Sequence, residues 1–159
     1  MKLEGSCHCG AVRFAVESHT PHPYMHCHCS ICRKTAGGGG YVINIMADAA
    51  SLEVTGTESL RIYQARLEDG SISESKRHFC AACASYLWAA DERWPDWIYP
   101  FASAIDTPLP KSPAREHIFL DAAAPWIGIP DGADDPNFVT YPTLSIEDWH
   151  RGRGLYLDD

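Results

Sequence analysis

No run of about 18 apolar residues occurs in this chain of 159, so no segment is expected to span a membrane. The N-terminal stretch Met1-Lys2-Leu3-Glu4-Gly5-Ser6 lacks the apolar core of a secretory signal. Positive charge is scarce: Lys and Arg number 13 against 21 Asp and Glu, a formal net charge of -8. That balance argues against nucleic acid as the main partner, because phosphate binding needs clustered cations. Only Arg33-Lys34 and Lys76-Arg77-His78 hint at clusters. Both flank cysteine motifs, where they could form a positive patch beside a metal or simply sit as solvated charges at a turn. Internal repeats, low-complexity tracts and linkers are also missing. Residues 1–159 are therefore expected to form one domain, long enough to bury a core.

Amphipathic helices are absent from the first 90 residues, and the expected fold class is mostly β. Val12, Phe14 and Val16 alternate with Arg13, Ala15 and Glu17, the period of a half-buried strand, so residues 2–17 read as a hairpin. Further strands are expected over Tyr41 to Met46, Ser51 to Thr55, Leu60 to Gln64, Ser73 to Phe79 and Tyr86 to Ala89. Ile98 to Ile105 and His117 to Leu120 read as later strands, and Asp69-Gly70 as a hairpin turn. One helical turn is expected from Cys29 to Thr35 with Ser30 as its N-cap, and a short helix capped by Ser145. Gly37 to Gly40 could be an anion-binding loop or a flexible connection.

The chain's chemistry lies in its seven cysteines. An odd count fits poorly with full disulfide pairing, and thiols in a reducing compartment are more often metal-bound or catalytic. The cytoplasm is the expected location. Cys7-x-Cys9 and Cys80-x-x-Cys83 are two close pairs far apart in sequence, the usual way a tetrahedral structural zinc site is assembled. Cys27, Cys29 and Cys32 then remain as three thiols within six residues, able to hold one face of a second zinc ion with a fourth position open. Two zinc ions per chain are expected. A competing arrangement closes the second site with a histidine, His26 being harder to exclude than His28, which is sandwiched between two ligands.

These residues carry a resemblance. Gly5-Ser6-Cys7-His8-Cys9-Gly10-Ala11-Val12-Arg13-Phe14, Cys27-His28-Cys29-Ser30-Ile31-Cys32-Arg33-Lys34 and Arg77-His78-Phe79-Cys80-Ala81-Ala82-Cys83 resemble the glutathione-dependent formaldehyde-activating enzyme family. His117-Ile118-Phe119-Leu120, Ala124-Pro125-Trp126 and Asp131-Gly132 are similar to its later motif, so the likeness covers roughly residues 4–132 and leaves 133–159 as a C-terminal extension. The resemblance implies a β-tent fold of zinc-stapled antiparallel sheets. It also implies a structural role for Cys7, Cys9, Cys80 and Cys83, with Cys27, Cys29 and Cys32 at the active site. The implied activity is addition of glutathione to formaldehyde, a carbon–sulfur lyase reaction run in reverse. The chain departs from the pattern at Ala84, where Gly is usual, so the exit from the second knuckle must differ in shape or carry strain.

A zinc held by Cys27, Cys29 and Cys32 could stabilise an incoming thiol as thiolate for attack on a small aldehyde. Three thiolates already leave such a site at net -1, so it needs local positive charge. Arg33 and Lys34 are nearest in sequence and are the expected binders of the glutathione carboxylates, with His26 or His28 as candidate proton carriers. The alternative is a non-catalytic zinc-binding module, with the aromatic stretch Trp94 to Phe101 as a contact surface for a protein or small ligand.

Overall fold

A computed structural model describes residues 1–130 and 135–158. Asp131 and Gly132 of the later motif lie outside the described residues. The predicted hairpin forms β1 (Lys2–Ser6) and β2 (Arg13–Glu17), antiparallel with Leu3 opposite Val16 and Gly5 opposite Phe14. Leu3, Phe14 and Val16 are buried while their neighbours face outward, the alternation read from the sequence. β6 (Glu53–Thr55) adds to β2 and completes a three-stranded sheet.

Only Val42–Ile43 of the strand expected from Tyr41 to Met46 is regular, and the next strand, just beyond it, joins a different sheet. β4 (Val42–Ile43) pairs with β3 (Met25–Cys27), whereas β5 (Ala47–Asp48) pairs with β10 (Trp97–Pro100). Single bridges at Asn44–Phe101 and Thr20–Met46 carry the chain between them. The five-stranded sheet runs β5-β10-β9-β8-β7, with β7 at Leu60–Tyr63, β8 at Lys76–Cys80 and β9 at Tyr86–Ala90. β11 (Glu116–Ile118) lies on the other side of β3 and runs parallel to it, a departure from the all-antiparallel expectation. β10 also ends sooner than expected, at Pro100, where Ala102–Ala104 turn into a short 3₁₀ segment.

Two apolar cores result. One gathers Leu3, Val12, Phe14, Ile45, Leu87 and Trp88 around Cys7 and Cys80. The other gathers Tyr24, Val42, Phe101, Ile118 and Trp149 around Cys27 and Cys32. Trp149 belongs to α2 (Ile146–Arg151), whose N-cap Ser145 accepts the Asp148 amide as the sequence suggested. Its ring stacks on Tyr24 at 3.7 Å and docks the C-terminal extension against the second core. Among the described residues no helix is long and apolar enough to cross a membrane.

Candidate functional site

Cys7, Cys9, Cys80 and Cys83 converge although Cys9 and Cys80 stand 71 positions apart. Their sulfurs all lie within 4.8 Å of one another. Cys7 and Cys9 are separated by 3.5 Å and Cys9 and Cys80 by 3.9 Å. A tetrahedral zinc with bonds of 2.3 Å requires sulfurs about 3.8 Å apart, so the set fits that ion. The distances are far too long for a disulfide. Backbone amides support the sulfurs: Val12 donates to Cys7 Sγ at 3.2 Å. Ser85, through its hydroxyl and then its amide, holds the Cys83 thiol down to about 5. At the exit of the second knuckle Ala84 keeps a left-handed φ of 60°, its amide donating to Cys80 O at 2.8 Å. Ala84 therefore occupies the left-handed region that glycine adopts without cost, and carries strain there.

Cys27 closes β3, and Cys29 and Cys32 belong to the short helix that follows, α1 (Ser30–Thr35). The N-cap of α1 is Cys29, and not Ser30 as the sequence suggested. Its sulfur accepts the Cys32 amide at 3.3 Å, because the tight approach to the cluster leaves sulfur, not hydroxyl, over the first turn. The three sulfurs again lie within 4.8 Å of one another, and no histidine or carboxylate atom among the described residues joins them. Hydrogen bonds from Cys27 and Cys32 hold the Cys29 thiol well below the usual range. The same bonds and burial push Cys27 well above it. Ionising all three thiols requires a cation at their centre, so this donor set too fits a soft divalent metal.

His26 and His28 point away from the cluster, since β3 sends alternate side chains to opposite faces. Met25 and Cys27 line the cavity described below, whereas His28 Nε2 meets His117 Nδ1 at 2.9 Å and His26 stacks on Tyr41. All three imidazoles are buried, and burial first, then neighbouring histidine charge, brings His26 down to about 4. Burial likewise lowers the pKa of His28 and His117.

The three sulfurs sit on the wall of a cavity of about 760 Å³. Trp94, Trp97, Tyr99 and Phe101 line it, so the aromatic stretch belongs to this site. Arg77, Asp91, Arg93 and Glu147 supply its charge. Arg93 grips Asp91 through two bonds of 2.8 and 2.7 Å. Arg77 is only 7% exposed, reaches Ser75 O at 3.5 Å, and has a buried Nε with no partner among the described residues. Sequence reasoning named Arg77 only as part of a possible patch near a metal. Its position three residues before Cys80 was the available signal.

Arg33 and Lys34 lie elsewhere. They line a second, polar cleft of about 810 Å³ together with His8, Gly37, Cys83 and Asp106, and Arg33 Nε donates to Ala122 O at 3.1 Å. Neither lines the cavity of the three-cysteine cluster. In the glycine run, Gly40 has φ of +85° and a Cβ there would lie 2.0 Å from Ile127 Cδ1, so close packing explains that residue. Its amide is already spent on Gly37 O at 2.7 Å.

A largely antiparallel β framework holding one four-cysteine and one three-cysteine cluster, each shaped for a metal, defines a class of thiol-rich β proteins. The comparisons place the chain within it: residues 2–122 match the family described as glutathione-dependent formaldehyde-activating enzyme, and the chain belongs to that family. It is 54% identical over 155 residues, 98% of either chain, to a Halomonas elongata protein named provisionally as a glutathione-dependent formaldehyde-activating enzyme. It is also similar to a Rhodobacter sphaeroides protein of known crystal structure. The TM-score there is 0.53 and the identity 28%, over 67% of this chain and 91% of that one.

Proposed function

We propose that this single-domain protein is an enzyme that adds a thiol such as glutathione to a small aldehyde such as formaldehyde. In classification terms it is a carbon–sulfur lyase acting in the synthetic direction, with two zinc ions per chain. The observation that carries the reading is a cluster of three sulfurs, with no fourth donor among the described residues, opening onto a cavity. Cys7, Cys9, Cys80 and Cys83 hold the structural ion, and Cys27, Cys29 and Cys32 the second. The ion that Cys27, Cys29 and Cys32 would hold would supply the Lewis acidity that favours the thiolate form of an incoming thiol. A reducing cytoplasm keeps the seven thiols available for this arrangement.

The remaining work falls to the chain. Arg77, buried beside Cys32 with an uncommitted Nε, supplies the positive charge that three thiolates need. It also offers a donor to a substrate carboxylate or to the oxygen that becomes negative during attack. Asn44, Ser73 and Ser75 give further polar contacts along the same cavity. Arg33 and Lys34 remain candidates only for a carboxylate that extends toward the polar cleft.

Cobalt substitution tests this. Titrating the cobalt form with glutathione should strengthen the thiolate-to-metal charge-transfer band, and added formaldehyde should then be consumed. Arg77→Met is expected to weaken thiol entry at least ten-fold, and Arg33→Ala by less than two-fold. A spectrum indifferent to every thiol, with metal present at the three-cysteine cluster, would remove the enzyme reading and leave a non-catalytic zinc module.

A further inference from the structure

The cavity is far larger and more apolar than formaldehyde, a molecule of one carbon and one oxygen, can use. Its volume of about 760 Å³ lies within the range of sites that enclose drug-sized ligands. One set of polar groups comes from Ser73, Ser75 and Arg77, with Asp91 and Arg93 on the neighbouring turn, and a second from Ser145 and Glu147 of the C-terminal extension. The apolar wall is made by Met25, Ile31, Ile118 and Phe119, with Tyr141 and Ile146 of that extension. Leu67, Trp94, Tyr141 and Leu144 line the cavity while remaining largely exposed to solvent. Large apolar side chains gathered in the open mark a surface that something covers.

Their position relative to the sulfurs decides what. The wall is continuous with Cys27, Cys29 and Cys32, so whatever covers it reaches the reacting atoms. A peptide-like thiol such as glutathione, charged at both ends, matches the serines and Arg77 and leaves the aromatic side empty. The family match also stops at residue 122, whereas Tyr141, Leu144 and Ile146 lie beyond it, outside the cysteine motifs. An element added to the wall but not to the cluster adjusts which substrate is held, not how it reacts.

Resting on the thiol-addition reading above, we infer that the electrophile is an aldehyde with an aryl or medium-length alkyl body, held against Trp94, Phe119 and Tyr141. The thiol sulfur forms the new bond to the carbonyl carbon. The C=O π pair moves to oxygen, which takes up the proton the thiol released, giving a hemithioacetal with nothing oxidised or reduced.

The test is a chain-length series with zinc-loaded protein and fixed glutathione. Propanal, butanal, pentanal and hexanal share one intrinsic carbonyl reactivity, and adduct formation is followed by NMR with the uncatalysed rate subtracted. Burial of each methylene should raise kcat/KM about three- to four-fold. Trp94→Ala and Tyr141→Ala replace surface residues, so folding is not at risk, and each should lower the hexanal-to-propanal ratio several-fold. A flat profile with formaldehyde and all four aldehydes accelerated would overturn this inference and leave thiol addition standing. If no aldehyde is accelerated, thiol addition itself fails, and binding of unreactive alcohols then decides the occupant. Tryptophan quenching that tightens from propanol to hexanol and 2-phenylethanol upholds an apolar ligand, and no binding of any of them overturns it.

Discussion

Replacing Ala84 by glycine should stabilise the protein. Ala84 leaves the second cysteine knuckle with φ of 60°, and only Phe119 shares a positive φ among the described non-glycine residues. Crowding of its Cβ against the backbone in that region costs roughly 1–2 kcal/mol. Glycine removes that cost but loses about 0.5–1 kcal/mol through its freer unfolded chain. The methyl is exposed, so little packing is lost. The net gain is about 0.5–1 kcal/mol. For a chain of this size it should raise Tm by roughly 1–4 °C. Calorimetry at fixed excess zinc is the assay, because bound metal itself shifts Tm. Ala82→Gly provides the contrast: Ala82 is also exposed in the same turn but has no positive φ, so glycine there should destabilise by about 0.5–1 kcal/mol. Two variants shifted in the same direction would refute the strain argument.

Cys80→Ser breaks the four-sulfur set that ties the first hairpin to β8 and should cost several kcal/mol of stability, roughly, with one zinc lost by elemental analysis. Cys29→Ser should lose the other zinc with much less effect on unfolding, and equal losses of stability in the two variants would overturn the division of roles. Glu116 lies buried in β11 with Oε2 unpartnered, and burial raises its pKa against the opposing effects of Arg153 and Trp149. The folded state therefore holds this proton more tightly than the unfolded chain does. Its contribution to stability is lost as pH rises through the ordinary carboxylate range and the higher folded value. Glu116→Gln should accordingly be more stable than the parent at pH 7 and no different near pH 4, read as urea midpoints.

The cysteine clusters were legible because metal geometry is local. Cys7-x-Cys9 and Cys80-x-x-Cys83 each place two sulfurs within reach of one point, whatever surrounds them, and the hairpin period over residues 12–17 is equally self-contained. The site's walls were not legible, because no local pattern records them. Tyr41 to Met46 reads as one strand, yet Val42 and Ala47, the residue that follows Met46, join different sheets, and Asn44 and Met46 face the cavity. Arg33 was favoured for nearness in sequence to Cys32, but α1 turns its last residues toward the polar cleft. Arg77, 45 positions after Cys32, lines the same cavity only through the fold, and no local pattern records that.

The register of β8 against β9 accounts for how a buried guanidinium is tolerated. Arg77 stands opposite Ala89 in β9, and both face the cavity, so a methyl group leaves room where a larger residue would fill the space. Two residues further, Asp91 faces the same cavity, but its carboxylate is already forked by Arg93. Arg77 is left with a weak bond to Ser75, an idle Nε and the unbonded attraction of the Asp91 carboxylate. A buried cation with so little compensation is costly in isolation. Beside three cysteines that carry net negative charge once a divalent ion is bound, the cost falls, and it falls further when a thiolate or carboxylate enters. The same residue would therefore be least stable in the empty site and most stable in the filled one, as the proposed role of drawing an anionic substrate to the cluster requires.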